Sequence, residues 1–159
     1  MRVFPKNPDW AWIEETYKDS GLLNMRSTVS KLKEQCAGQL IYLASPYTTL
    51  AQKNGALCKH LSSGVQMNIA RWGQLCAEEN LTAVSPILIE SWIYSADFLN
   101  KIDPLDQAFW CRWSAPLLKA STCLAIAPLD KWNISLSVWR QTCWALTHNR
   151  RVFVLCDAA

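Results

Sequence analysis

The chain has 159 residues, half of them hydrophobic and 18% charged, with a formal net charge of +3. That length supports one domain with a sizeable core. The cations are scattered, with only Arg150-Arg151 adjacent and Lys31 and Lys33 close together, which excludes the dense basic stripe of a nucleic-acid surface. No stretch approaches the ~20 apolar residues of a membrane span, and the opening Met1-Arg2-Val3-Phe4-Pro5 lacks a signal-peptide run. The expectation is a cytoplasmic protein with no nucleic-acid or membrane partner.

Residues Asn7 to Asp19 read as a short helix, with Asn7 or Asp9 as its cap and Trp12, Ile13 and Tyr17 on one face. A second helical piece is expected from Met25 to Gln35. Together they suggest a helical extension over residues 1–38, ahead of a core domain at 39–159. Leu40 to Ala44 is the first strand, apolar enough to be buried on both faces as in a parallel sheet. It runs into Ser45-Pro46, where proline ends the ladder. A long helix is expected from Leu50 to Glu79, with Gly55, Gly64 and Gly73 inside it. Leu81 to Val84 is the second strand, again broken by a Ser-Pro pair, Ser85-Pro86. Two strands ending in the same dipeptide are consistent with two rims of one crevice.

From Ile87 to Lys101 no period is legible, and the aromatic residues there suit a loop or lid. Asp103 to Asp106 opens a helix that carries Phe109, Trp110 and Trp113 toward Ala120, with Pro116 as a break or restart. Cys123 to Ala127 is the third strand. Ser135 or Ser137 caps the next helix, which runs to about His148. Arg151 to Cys156 is the last strand. Strands alternating with helices predict an α/β fold, a flavodoxin-like (Rossmann-like), mostly parallel sheet of four to five strands with helices on both faces. Ligands in such sheets bind at the carboxyl ends of strands.

The seven cysteines are odd in number and irregularly spaced, with no Cys-x-x-Cys, so free thiols in a reducing compartment are expected and no metal site. Neither Gly-x-Gly-x-x-Gly nor Gly-x-x-x-x-Gly-Lys occurs, and no cofactor is expected. Nine tryptophans are many for one small core, which directs some to a pocket or an interface.

Four motifs in order, Tyr42-Leu43-Ala44-Ser45-Pro46-Tyr47, Val84-Ser85-Pro86-Ile87, Asp103 to Trp110, and Trp132 to Val138 leading to Trp144-Ala145, resemble the nucleoside 2-deoxyribosyltransferase-like superfamily, most closely its small DUF1937-type branch. The resemblance implies cleavage of a base–sugar bond in a nucleoside or nucleotide. A glutamate on the helix after the third strand attacks the anomeric carbon, and a second carboxyl protonates the leaving base, the two-carboxylate logic of retaining glycoside cleavage. It also implies a homo-oligomer. By the same resemblance the catalytic set falls at Gln141, Asp106 and Ser114. The binding set falls at Tyr42, Ala44, Ser45, Pro46, Tyr47, Pro86, Trp132, Ser135 and Ser137.

The chain departs from the pattern at the decisive place, because the glutamate position holds Gln141, a neutral amide. Two further acidic positions fall at Ser114 and Ser135. Three explanations stand side by side: a non-catalytic relative that still binds a nucleotide-like ligand, a deliberate Glu-to-Gln replacement, and an enzyme that uses Asp106, Asp103 or Glu90 instead. The expected function is therefore an N-glycosidase or deoxyribosyltransferase-like protein. The rivals are a nucleotide-derivative-binding module of the same fold and a structural or assembly protein.

Overall fold

The computed structural model of the protein describes residues 3–156. In chain order the elements are α1 (Trp10–Tyr17), β1 (Leu23–Ser27), α2 (Val29–Cys36), β2 (Leu40–Ala44), α3 (Thr48–Ala51), β3 (Gln52–Lys53), β4 (Ala56–Leu57), α4 (Lys59–Glu78), β5 (Thr82–Val84), α5 (Pro86–Ser95), α6 (Gln107–Ala120), β6 (Cys123–Ile126), α7 (Leu136–Thr147) and β7 (Arg151–Leu155). Five strands form one sheet in the order β1-β7-β6-β2-β5, every neighbour parallel. This is the expected α/β architecture.

Alternation along each strand divides the core in two. Ile41, Leu43, Ala125 and Phe153 point to the face covered by Leu32 of α2 and by Val65 and Ile69 of α4. Tyr42, Ala44, Leu124, Ile126, Val152 and Val154 point to the other face, against Ile13 and Tyr17 of α1 and Val138, Trp139 and Leu146 of α7. Fully burying one such aliphatic side chain contributes roughly 1.5–3 kcal/mol. Trp139, 1% exposed, is the largest of these, and its indole N–H donates to Pro5 O at 2.9 Å.

The structure corrects four expectations. The segment before β2 is not wholly helical: Leu23–Ser27 is an edge strand, paired with β7 through Leu23–Val152 and Asn24–Phe153, and α2 starts only at Val29, capped by Thr28. An edge strand with one partner needs no continuous apolar run, and Leu-Asn-Met-Arg-Ser has none. The helix expected from Leu50 to Glu79 is divided by a hairpin. Asn54 and Gly55 turn the chain at φ 54° and 78°, the left-handed pair that a two-residue hairpin loop requires. Residues 86–95 form α5 rather than a loop. Pro116 neither breaks nor restarts α6, which runs through it.

The remaining glycines of that region, Gly64 and Gly73, lie inside α4, and a methyl group at either would meet open space, so neither serves close packing. The caps are of the expected kind: Asp9 accepts from Trp12 N at 2.9 Å, and Ser135 from Val138 N. All seven cysteines are free. No helix among the described residues is long and apolar enough to cross a membrane.

Candidate active site

From β2 the chain passes through α4 to β5 on one side, then returns past β2 to β6 on the other. The order reverses at β2, and in open parallel sheets the crevice beyond the strand ends at such a reversal receives ligands. A cavity lies there. Tyr42 and Ala44 of β2 and Ser45 directly after it supply its floor, with Tyr47 and Thr48 beyond. Pro86, Ile87 and Glu90 come from α5, Trp110, Cys111 and Ser114 from α6, and Ser137 and Gln141 from α7. Pro104 and Leu105 of the α5–α6 connection and Gln107 complete the wall. Its free room is about 40 Å³.

Of the residues expected from sequence, Tyr42, Ala44, Ser45, Tyr47, Pro86, Ser114, Ser137 and Gln141 are brought together on this wall. Both Ser-Pro strand ends contribute, Ser45 from one and Pro86 from the other. Four residues stand elsewhere. Pro46 does not line the cavity. Asp106 caps α6, its carboxylate accepting from Phe109 N at 3.0 Å. Trp132 packs edge-on against Trp10 at 4.7 Å, half-buried against the core of α1 and α7 rather than over the cavity. Ser135 caps α7 and lines a neighbouring hollow of about 180 Å³ with Thr48, Thr49 and Ser137, its hydroxyl 3.1 Å from that of Ser137.

The polar wiring is specific. Gln141 Nε2 donates to Tyr42 Oη at 3.0 Å, while Gln141 Oε1 has no partner among the described residues. Ser45 Oγ, on a residue 5% exposed, is unpartnered as well. Ser114 Oγ is occupied, donating to Trp110 O at 2.9 Å. Behind the wall, Tyr47 Oη meets Ser62 Oγ at 2.8 Å, and Gln66 Nε2 donates to the same hydroxyl at 2.9 Å. Burial pushes both Tyr42 and Tyr47 phenols well above their ordinary value, with the Ser114 and Ser62 hydroxyls opposing the shift.

Glu90 is the one carboxyl on the cavity wall, and the residue is 7% exposed. Burial pushes its carboxyl up to about 7. The Cys111 thiol is also raised, first by burial and then by the Glu90 charge, with Arg140 opposing. Glu90 is thus half-protonated near neutrality and can give or take a proton there. The amide of Gln141 can do neither and is no nucleophile. Sequence named Glu90 only as an alternative acid. Trp110 and Cys111, one turn before Ser114, are not among the site residues expected from sequence, although their spacing from Ser114 puts them on the same helix face.

A doubly wound α/β domain with a parallel five-stranded sheet and a cavity at its switch point is the class of protein defined here. Within that class the chain belongs to the DUF1937 family: the model described as "Domain of unknown function (DUF1937)" matches residues 39–157. No curated protein and no solved structure matches the chain.

Proposed function

We propose that the cleft at the ends of β2, β5 and β6 binds a nucleoside- or nucleotide-derived small molecule without forming a covalent sugar intermediate. The observation that carries this reading is the pair of unpartnered polar atoms on one cavity wall, Ser45 Oγ and Gln141 Oε1. Of the five buried side-chain polar atoms without a partner among the described residues, these two share one cavity; buried polar groups are mostly hydrogen-bonded, and a hydroxylated ligand supplies what the two lack. The ligand class comes from the resemblance of the four motifs to the nucleoside 2-deoxyribosyltransferase-like superfamily. The absence of a covalent step rests on Gln141, a neutral amide standing where that resemblance puts the nucleophile. One end of the ligand enters the tight cavity, and the rest extends into the hydroxyl-lined hollow beside Ser135 and Ser137.

One observation favours a second reading. Glu90, buried and raised to about 7, is suited to protonate a leaving base while water replaces the missing nucleophile, which would make the protein a slow hydrolytic N-glycosidase. A single experiment separates the two. The wild-type protein, Gln141→Glu and Glu90→Gln are incubated with a panel of nucleosides and 5′-nucleotides, and free base and melting temperature are recorded. Stabilisation without base release by the wild type supports binding. Base release by the wild type that Glu90→Gln abolishes supports hydrolysis. Absence of both from the wild type and from Gln141→Glu rejects the nucleoside reading.

A further inference from the structure

The cavity wall holds one carboxyl and, among the described residues, no Lys, Arg or His. Glu90 is 7% exposed, and no described residue hydrogen-bonds or ion-pairs with its carboxyl; the ion pairs among the described residues are Lys18–Glu15 and Lys33–Glu79, both at the surface. A carboxylate buried without a partner is costly and is ordinarily neutralised by an opposite charge. The other unpartnered groups on the same wall suit such a charge. Gln141 Oε1 is a carbonyl oxygen and can only accept, while its Nε2 donates to Tyr42 Oη, and Ser45 Oγ has a free lone pair. Tyr42, Tyr47 and Trp110 add aromatic surface, which favours a cation over an anion. About 40 Å³ of free room is sufficient for an ammonium group with one or two carbons.

We propose that this cavity takes a small organic ammonium group, with Glu90 as its counter-ion and Gln141 Oε1 as acceptor for one of its N–H bonds. The proposal rests on the cavity wall and not on the nucleoside reading, so the amine can be carried by a small molecule of another kind. It also predicts discrimination: phosphate and carboxylate groups are excluded from this cavity, and a nucleotide would keep its phosphate outside.

Binding requires Glu90 ionised and the amine protonated. The titratable groups facing Glu90 are Tyr42 from β2, Tyr47 beyond that strand and Cys111 from α6, while Arg140 of α7 acts on Cys111. Burial raises all three acids, so they stay neutral to pH 8 and Glu90 alone sets the profile. Amine affinity therefore rises with pH through about 7 and falls about tenfold per unit well below it.

The test uses the full chain with ethylammonium chloride against potassium chloride at equal ionic strength, and with potassium phosphate and ethanol as anionic and neutral controls. Melting temperature and the line width of the ethylammonium proton signals are read at pH 6 and pH 8. Ethylammonium should raise the melting temperature at pH 8 by about 2 °C beyond potassium chloride at concentrations well above its Kd. Its signals should broaden, and both effects should be weaker at pH 6. Glu90→Gln, close in shape to the native residue, should abolish both, and Glu90→Asp should retain part of them. The proposal is overturned if Glu90→Gln keeps the effect, if phosphate or ethanol matches ethylammonium, or if the signals show no broadening at pH 8. A silent nucleoside panel would leave these outcomes untouched.

Discussion

Gln141 Nε2 lies 3.0 Å from Tyr42 Oη, a hydrogen bond that ties α7 to β2 at the base of the cavity. The bond fixes the amide so that its oxygen remains free. Replacing Tyr42 with phenylalanine leaves the buried amide N–H unpaired and should cost about 1–3 kcal/mol. Replacing Gln141 with glutamate places a second carboxyl on the cavity wall that already holds Glu90, should cost a similar amount of about 1–3 kcal/mol at neutral pH, and should be milder in acid. On the proposed function only the glutamate form releases base from a nucleoside. Urea unfolding of each variant at pH 5 and pH 8, paired with a free-base assay, checks both statements.

Glu90 gives the fold a pH dependence of definite sign. Its carboxyl titrates near 4.5 in the unfolded chain and at about 7 when folded. Below 4.5 both states hold the proton, and the contribution to stability is fully present. As pH rises the unfolded chain ionises first, so stability falls and is lost through about 7. The loss approaches about 3 kcal/mol, from a shift of roughly two and a half units. Glu90→Gln should flatten this segment of the profile and leave the protein more stable than wild type at pH 8. Denaturant midpoints from pH 4 to 8 measure it, and an unchanged profile would remove Glu90 as its cause.

The segment before β2 is stitched to the far edge of the sheet. Val152 N donates to Leu22 O at 2.7 Å, and Cys156 N to Ser27 O at 3.0 Å. A chain beginning at residue 39 would expose the β7 edge together with Val152 and Val154 and uncover the face beneath α1. We expect such a fragment to aggregate or to lose several kcal/mol (about 5 or more) even though the family match starts there. Size-exclusion chromatography against the full chain tests this.

Trp132 packs on Trp10, and Trp10 on Trp139 at 5.4 Å, while Trp10 Nε1 donates to Asn133 O at 2.7 Å. Trp132→Ala should therefore destabilise by about 2–4 kcal/mol while leaving ligand affinity within about twofold, the reverse of what a base-stacking residue would show. Thermal unfolding and a binding isotherm on the same preparation distinguish the two.

The interior strands were legible because burial on both faces demands apolar runs, and Leu40–Ala44 and Cys123–Ile126 supply them. β1 was not, because an edge strand needs only one good ladder partner. α5 was hidden for the opposite reason: Pro-Ile-Leu-Ile-Glu-Ser-Trp-Ile-Tyr-Ser is apolar around most of its circumference, so no 3.6-residue stripe stands out, and Glu90 looked like an isolated charge. The hairpin had a signal, Asn54-Gly55, outweighed by the longer helical pattern around it. Of the expected site, the residues on strand ends and helix faces converged on the cavity. Asp106 and Trp132 did not, since a helix cap and a core aromatic carry the same local signature as a site residue.

The sheet order has a consequence for how the protein is made. β2 and β5 are separated only by α3, the β3–β4 hairpin and α4, and can pair while later residues are still being synthesised. β1 must wait for β7, more than 120 residues downstream, because Leu23 aligns with Val152. That contact is among the most non-local in the chain, so its loop closure is slow and comes late. Until β7 leaves the ribosome, the first strand of the polypeptide has no ladder to join, and the nascent chain carries an unpaired edge on which a chaperone or another copy can act.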